Sequence, residues 1–261
     1  MSALSAAIEG IGFWSSGLPN WQAACDYANG GALPDAAPAR PSPQLLAPNE
    51  RRRAPESVAV ALEVALAACA AAQYDPATLP SVFASTHGDL AITDYMCAIV
   101  ASEPRALSPT RFHNSVHNAA AGYWTIGTGC VQATTAISAY DATFAQGLLE
   151  ALLQLAAGNA AVLLVAYDTA GAGPMVPISN SYGLLGGALL LSAAGHVGKP
   201  RLRATLADGE AQPPRGALSR LAAGNAMAPM LPLFDALATG DDAVLLKAGP
   251  GRVLRVEIAH D

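Results

Sequence analysis

The segment from residue 131 to residue 167 restricts the possible folds more than any other part of the sequence. Val131–Ser138 is rich in β-branched residues and predicts a strand. Asp141–Ala157 predicts a buried helix, because its apolar run is broken by only one narrow polar stripe, Gln146, Glu150 and Gln154. The glycine at 158 ends this helix, and the continuous apolar run Ala160–Tyr167 is typical of a strand inside a parallel sheet. This order of elements indicates an α/β layered fold.

The rest of the chain continues the alternation of strands and apolar helices. Pro55 and Glu56 suit the first turn of a helix, which the apolar run from 58 to 72 extends. Two more helices are predicted, at Ile92–Ser102 and Gly216–Ala238. Further strands are predicted at Ala6–Phe13, Ser81–Ser85, Gly186–Ser192 and Arg252–Ile258. We therefore expect helices packed on a sheet, and no membrane span, because no apolar run reaches about 18 residues.

Composition and charge exclude several classes of function. A net charge of −6 and an isoelectric point near 5.3 disfavour nucleic-acid binding. The high hydrophobic content, 52%, excludes a disordered chain. The four cysteines, Cys25, Cys69, Cys97 and Cys130, lack the spacing of zinc ligands, so we expect no metal and interpret them as thiols in a reducing cytoplasm. The amino-terminal residues include Glu9 and no basic segment, so we expect no secretory signal.

The turn between the central strand and helix, Ser138-Ala139-Tyr140-Asp141, resembles the nucleophile turn of the β-ketoacyl synthases in the thiolase superfamily. Those enzymes carry Ser/Thr-Ala-Cys there, with the cysteine at the start of a buried helix. Gly158-Asn159-Ala160 is similar to the family's Gly-Asp-Ala before the next strand. The resemblance places the cysteine position at Asp141, or at Tyr140 if the alignment shifts by one residue. Neither side chain can form a thioester.

Other motifs follow the order of the same family. They are Ile8–Trp14, the Ser85-Thr86-His87-Gly88-Asp89 loop, Ser108-Pro109, His117–Gly122 and Tyr182–Ser192. The resemblance covers roughly residues 6–195. It implies a thiolase-like half, that is, a single layered αβα unit with a mixed central sheet. The implied domain spans residues 1–197, and residues 198–261 form a short carboxy-terminal extension packed on the same domain.

The departures from the family pattern decide the expected function. The resemblance implies two catalytic histidines in a second half, yet only some sixty residues follow Val197, and neither His196 nor His260 lies in the family's glycine motifs. The chain is therefore not expected to be an enzyme by itself. It is similar to chain-length factors, which lack the cysteine and pair with a β-ketoacyl-ACP synthase. This resemblance implies a heterodimer that meets acyl carrier protein transiently, in aryl-polyene-type fatty-acid or polyketide synthesis, without a cofactor.

The same resemblance implies where the acyl tunnel and the subunit interface lie. Val131–Ser138 is expected to pair edge to edge with the corresponding strand of the partner, and residues from 112 to 123 and near Tyr140 to line or close the tunnel. The candidate residues for tunnel and interface are Phe112, His113, His117, Tyr123, Gln132, Thr134 and Tyr140.

Several local interpretations stay open from the sequence. Asp141 suits a helix cap completed by Ser138, a charge mimic of the nucleophile, or acid–base chemistry. His113 and His117 are four residues apart, which places both on one face if the segment is helical. One alternative function is a stand-alone acyl-thioester hydrolase or decarboxylase that uses either histidine with Asp141. Another is a scaffold that binds an acidic carrier protein through Arg51–Arg53.

Overall fold

The computed structural model describes residues 3–179, 181–213 and 215–260. Eight strands form one mixed sheet in the order β3-β2-β4-β5-β1-β6-β8-β7. Strand β2 runs parallel to β3 and β4, and every other neighbouring pair is antiparallel. The strands are β1 (Leu4–Ser15), β2 (Ser81–Ala84), β3 (Thr134–Ile137), β4 (Ala161–Asp168), β5 (Leu185–Ser192), β6 (Arg201–Asp208), β7 (Ala243–Gly249) and β8 (Arg252–Ala259).

Helices cover both faces of the sheet, which confirms the predicted α/β layered fold. The helices are α1 (Trp21–Ala28), α2 (Pro48–Arg53), α3 (Glu56–Ala72), α4 (Leu90–Ser102), α5 (Pro109–Asn114), α6 (Ala119–Thr128), α7 (Thr143–Ala156), α8 (Ala217–Leu221) and α9 (Leu231–Thr239). On one face α3 and α6 bury a core around Trp124 and Phe83, and on the other α7 and α9 bury one around Phe144 and Phe234.

Helix α3 lies unusually close to strand β1. A Cβ atom added at Gly12 would fall 1.9 Å from the carbonyl oxygen of Val64, and one at Gly10 would fall 2.2 Å from that of Ala68. Both contacts are with backbone, so no side-chain rearrangement could relieve them. Glycine at these positions is what allows the apolar helix to seat against the opening strand.

Helix α7 forms hydrogen bonds with both edge strands of the sheet. Its Gln146 Nε2 donates to the carbonyl of Ala248 on β7 at 2.8 Å, and its Gln154 Nε2 donates to Thr135 Oγ1 on β3 at 3.4 Å. The same amide donates to Glu150 Oε1 at 2.9 Å. The polar stripe predicted on this helix therefore bridges the two ends of a sheet that curves around it.

The structure corrects several predicted boundaries. Strand β3 is only four residues long, and α7 begins two residues late, because Tyr140–Ala142 forms a short 3-10 turn. The helix predicted at 216–238 is interrupted between α8 and α9, where the chain turns around Gly224 and a second 3-10 turn. Strands β6 and β7 were not predicted, and together with β8 they extend the same sheet beyond β1.

A carboxylate is buried in β1 at an irregularity between Ile8 and Gly10. Glu9 Oε1 accepts a hydrogen bond from Ser192 Oγ at 2.5 Å, and Oε2 lies 2.8 Å from His196 Nδ1. Burial opposes ionisation, but the hydrogen bonds from Ser192 and His196 and the charge of His196 outweigh it, so the pKa of Glu9 is lowered. Ionisation of Glu9 therefore stabilises the folded state.

Replacing Glu9 with glutamine is expected to change the pH dependence of stability. A carboxyl pKa that is lowered by folding contributes stability above its unfolded value of 4.5, and this contribution is lost as the pH falls through the lowered value. Glu9→Gln should cost about 1–2 kcal/mol at pH 7 and reduce the acid dependence. The free energy of unfolding in urea, measured at several values from about pH 3 to about pH 7, tests this expectation. The exposed Glu103→Gln is the control, and equal pH profiles for both variants would contradict the assignment.

Candidate functional site

The turn between β3 and α7 is held in an unusual backbone conformation. Tyr140 has φ +53°, in the left-handed region that non-glycine residues rarely adopt. Thr143 Oγ1 accepts from the N–H of Ala139 at 2.9 Å and donates to the carbonyl of Tyr140 at 2.6 Å. Ser138 Oγ donates to the carbonyl of Thr86 at 3.0 Å. Side-chain hydrogen bonds from both ends of the turn thus hold this strained residue in place.

The loop after β2 lies beneath this turn and is anchored by a buried carboxylate, Asp168, at the end of β4. Asp168 Oδ1 accepts from Ser85 Oγ at 2.8 Å and from the N–H of His87 at 3.1 Å, and Oδ2 accepts from the N–H of Thr86 at 2.9 Å. Burial raises the pKa of Asp168, while these hydrogen bonds act in the opposite direction. The carboxylate connects the loop to the central sheet.

A second buried polar group, Asn225, closes the other side of the site. Its Nδ2 donates to the carbonyls of Asp168, Tyr182 and Gly183 at 3.1–3.3 Å. This amide therefore joins the segment between α8 and α9 to the ends of β4 and β5. In the same region, the ring nitrogen Nε2 of His87 lies 2.6 Å from Ser179 Oγ.

Asp141 does not cap helix α7, which corrects the capping interpretation. Helix α7 has no side-chain cap, and Ser138 is bonded to the loop after β2 instead. Asp141 Oδ2 lies 2.5 Å from Lys247 Nζ on β7. The hydrogen bond with Asp141 is the main cause of a raised pKa of Lys247. Both side chains are partly exposed, so this ion pair is worth little stability, but it connects the turn to the carboxy-terminal strands.

Tyr140 and the Asp141–Lys247 pair border an open cleft of about 590 Å³. Its wall is formed mainly by the segment between α8 and α9 and by the loop after β6. Polar groups line one part of the cleft and small apolar side chains another; among these residues are Thr86, Gln212, Asn225, Ala226, Pro229 and Leu245. A cleft of this size, with a strained residue at its rim, is the candidate functional site.

The two candidate histidines are not on one helix face, which corrects that interpretation. His113 belongs to α5 and stacks edge-on against Tyr123, with ring centroids 6.0 Å apart. His117 lies in the turn before α6, and its Nε2 is 2.8 Å from the carbonyl of Ser85. Neither histidine forms a hydrogen bond or an ion pair with Asp141, whose carboxylate is paired with Lys247.

The other candidate residues fall into two groups. Phe112 is exposed on α5, and the hydroxyl of Tyr123 donates to Asn114 Oδ1 at 3.1 Å. Gln132 and Thr134 lie on the exposed edge at the beginning of β3, away from Tyr140, which follows the end of that strand. His117 and the turn that contains Tyr140 therefore both contact residues 85–86. Gln132 and Thr134 do not belong to this group, because they lie at the other end of β3.

Asp168, Asn225 and Lys247 were not predicted as site residues from the sequence. The sequence did contain a pattern that could have identified Asp168. It is the carboxylate that ends an uninterrupted apolar strand, and binding groups concentrate at the carboxyl ends of strands in α/β sheets. Ser85–Asp89 had been singled out, but its partner lies 83 residues from Ser85 along the chain. Asn225 lies within the helix predicted at 216–238, at the point where the structure interrupts it, and Lys247 lies where no element had been predicted.

The cysteines do not provide a nucleophile at this turn. Burial raises the pKa of Cys69 to about 12. Cys130 is buried after α6, with its Sγ donating to the carbonyl of Leu79 at 3.4 Å. All four thiols are free. Among the described residues, no group of three or more potential ligands could hold a metal ion, and no helix is long and apolar enough to cross a membrane.

Comparisons with known proteins agree with this architecture. A family model described as "Beta-ketoacyl synthase, N-terminal domain" matches residues 21–230. A chain of the ketosynthase (ApeO) in complex with its chain length factor (ApeC) from Xenorhabdus doucetiae is similar, with a TM-score of 0.77 and 20% identity over 97% of this chain and 99% of that one. No curated protein matches the chain.

Two further solved structures are similar over nearly their whole length. One is a type II polyketide synthase complex, AntDE with its acyl-carrier protein AntF (TM-score 0.73, 12% identity, 99% of each chain). The other is the ishigamide ketosynthase/chain length factor (TM-score 0.72, 13% identity, 98% of this chain and 99% of that one). At these identities the likeness establishes a thiolase-like α/β fold. With a family model that spans most of its length, the chain belongs to the β-ketoacyl synthase N-terminal domain family.

Proposed function

We propose that this chain is a non-catalytic, chain-length-factor-like partner of a β-ketoacyl-ACP synthase. In this proposal it shapes the acyl tunnel of a fatty-acid or polyketide-type synthase, of the kind that makes aryl polyenes. One observation carries the proposal: the strand–turn–buried-helix unit that holds the nucleophile in this family is formed in full, but Tyr140 and Asp141 stand in its turn. A phenol or a carboxylate cannot accept an acyl chain from a thioester to give a new thioester.

Tyr140 is the residue that we assign to the cysteine position. Ser138-Ala139-Tyr140 matches the Ser/Thr-Ala-Cys order residue for residue, in the second of the two alignments, one residue before Asp141. Tyr140 also has the positive φ, and sharp strained turns between a strand and a helix are used to expose nucleophiles in other enzymes. Its side chain is 61% exposed and points to the rim of the cleft. Asp141 is then the neighbour that ties the turn to β7.

The edge strand β3 supports pairing with another subunit. The N–H of Ser81 bonds to the carbonyl of Ala133 and that of Ser85 to the carbonyl of Ile137, so the odd-numbered residues of β3 face β2. The backbone groups of Thr134 and Ala136 therefore point away from the sheet. Close by, the apolar side chains of Ile126 and Val131 are 79% and 92% exposed. An open edge beside exposed apolar residues is suited to a second sheet from a partner.

Helices α4 and α5 support the assignment of a tunnel wall. Leu90 is the buried residue of α4, although most of this helix is apolar. On α5 and just after it, Phe112 and Val116 are 57% and 44% exposed. Apolar side chains in this position would be covered by the partner subunit and the acyl chain between them. Phe112, His113, His117 and Tyr123 are proposed for this wall, and Gln132 and Thr134 for the subunit interface.

The contact with acyl carrier protein and the cellular location belong to the same proposal. Carrier proteins are acidic, and α2 presents Arg52 and Arg53 on its exposed surface, while Arg51 Nη2 is bonded to the carbonyl of Leu46. This helix is the proposed contact for carrier protein within the heterodimer. Four free thiols, one of them exposed, favour a reducing cytoplasm.

Co-expression with the ketosynthase encoded beside the gene for this chain tests the proposal. We expect a one-to-one heterodimer by light scattering after co-purification, and condensation activity only in that complex. The chain alone should be poorly soluble, because its open edge and apolar helices are then exposed. A soluble homo-oligomer that does not bind the ketosynthase, or acyl-thioester turnover by the chain alone, would sink the proposal.

A further inference from the structure

Strand β7 forms the second edge of the sheet, opposite β3. The N–H of Ile258 on β8 donates to the carbonyl of Asp242 at 2.7 Å, so even-numbered residues here bond to β8. Antiparallel strands alternate the direction of their backbone groups, and Ala243, Leu245 and Lys247 therefore direct theirs away from the sheet. Within the described ranges, no other element forms a hydrogen bond with these outward groups. β7 thus offers a row of alternating donors and acceptors.

A groove runs along this open edge. A second cavity of about 490 Å³ adjoins the cleft at Tyr140 and shares Leu245, Pro213 and Pro232 with it. Its far end is bordered by Thr239 of α9 and by Asp241. The two cavities follow β7 from Lys247 to Ala243, a distance that an extended segment of about five residues would span. The apolar middle of the groove suits small aliphatic side chains.

Charge restricts what can occupy the groove. Asp241 and Asp242 are exposed at the beginning of β7, and Glu210 is exposed on the loop across from it. Of the nearby cations, Lys247 is already paired with Asp141, and the exposed Arg215 also lines the groove. The three carboxylates outnumber this arginine, so the rim carries a net negative charge. A second copy of this chain would bring the same acidic rim against itself, whereas a segment with lysine or arginine would be attracted.

We propose that the β7 groove binds an extended basic segment of a partner polypeptide by strand addition. The segment would pair with the outward backbone groups of Ala243, Leu245 and Lys247 and place small aliphatic side chains against Pro213 and Pro232. Its basic residues would lie against Asp241, Asp242 and Glu210. This interaction surface is separate from β3 and does not depend on the identity of the subunit that pairs there.

A labelled peptide, acetyl-Arg-Thr-Val-Thr-Val-Lys-amide, tests the proposal by fluorescence anisotropy with the full chain or its purified complex. Leu245→Pro removes an N–H that faces away from β8, a position at which proline is tolerated in edge strands, so the fold should remain. Leu245→Ala keeps that N–H and is the matched control. We expect Leu245→Pro to weaken binding at least about tenfold and Leu245→Ala less than about threefold.

Two further probes separate strand addition from other binding modes. The same peptide with alternate backbone N–H groups methylated should lose binding, and a version with glutamate for its basic residues should bind at least about tenfold more weakly. No binding at about 1 mM peptide would overturn the proposal, as would equal binding to the two Leu245 variants. Self-association by light scattering that Leu245→Pro abolishes would also overturn it, because the occupant would then be a second copy.

Discussion

Replacing Asp168 with alanine is expected to lower the free energy of unfolding by about 3–5 kcal/mol. The carboxylate is fully buried and accepts hydrogen bonds from Ser85, Thr86 and His87. Without it, one buried hydroxyl and two partly buried backbone N–H groups lose their acceptor, and each such loss costs roughly 1–3 kcal/mol before any local rearrangement. Because the loop after β2 supports the Tyr140 turn, this turn should also loosen. Guanidinium unfolding monitored by circular dichroism measures the loss.

Asp208→Ala is the matched control for Asp168→Ala, since it removes the same atoms from a side chain that is 89% exposed and pairs with Arg252. We expect that variant to lose less than about 1 kcal/mol. Asp168→Asn tests the charge, because it keeps the shape but presents an N–H₂ group to at least one of the three donors. It should fall between the wild type and the alanine variant. If Asp168→Ala and Asp208→Ala have the same midpoint, Asp168 does not anchor the site.

Ala136→Pro is expected to abolish the proposed heterodimer. The N–H of Ala136 points away from β2, so proline should remove an edge donor and leave the β2–β3 ladder intact. In an edge-to-edge pairing between two sheets, a proline at the centre of a four-residue strand removes a hydrogen bond and places its ring against the partner backbone. We expect the dissociation constant of the complex to rise at least about 100-fold, by surface plasmon resonance or sedimentation.

The control for this experiment is Ala136→Ser, which keeps the N–H and nearly the same volume. Both variants should have unfolding midpoints close to that of the wild type when measured without the ketosynthase, which separates a binding effect from a folding effect. A proline variant that still forms the complex at wild-type affinity would show that β3 is not the interface. A serine variant that dissociates as readily would show that the loss does not come from the backbone N–H.

The central strand–helix–strand unit was predictable because its pattern is local. The β-branched residues before the turn and the apolar cylinder with one polar stripe each specify an element within a short segment. Strands β6 and β7 were missed for the opposite reason. Their side chains are only partly buried, so neither has the apolar pattern of a central strand. Both pair with β8, which lies after them in the chain, and β6 also pairs with β1.

The residues of the candidate site also differ in whether local sequence patterns could predict them. Its turn was located from Ser138-Ala139-Tyr140-Asp141, and the order of the family's motifs was sufficient to recognise the family. The partners of that turn could not be found in this way. Lys247 is more than 100 residues from Asp141, and Asn225 donates to a carbonyl group at the end of β4 and to one in the segment before β5. A helix cap was one of three interpretations that local patterns allowed for Asp141, because such patterns carry no information about a lysine from the strand at the far edge of the sheet.

By itself, therefore, the sequence determined the layered α/β class, the family and the absence of a cysteine from the turn at 138–141. These properties depend on residue types and on spacings within single elements. Only the tertiary structure decided that Tyr140 holds the strained position, that Asp168 and Asn225 bind the surrounding loops, and that no strand in the described part of the chain pairs with the outer side of β3 or β7. The physical reason is that hydrogen bonds, ion pairs and strand order join residues far apart in the chain, and their geometry exists only after the sheet has assembled around α7.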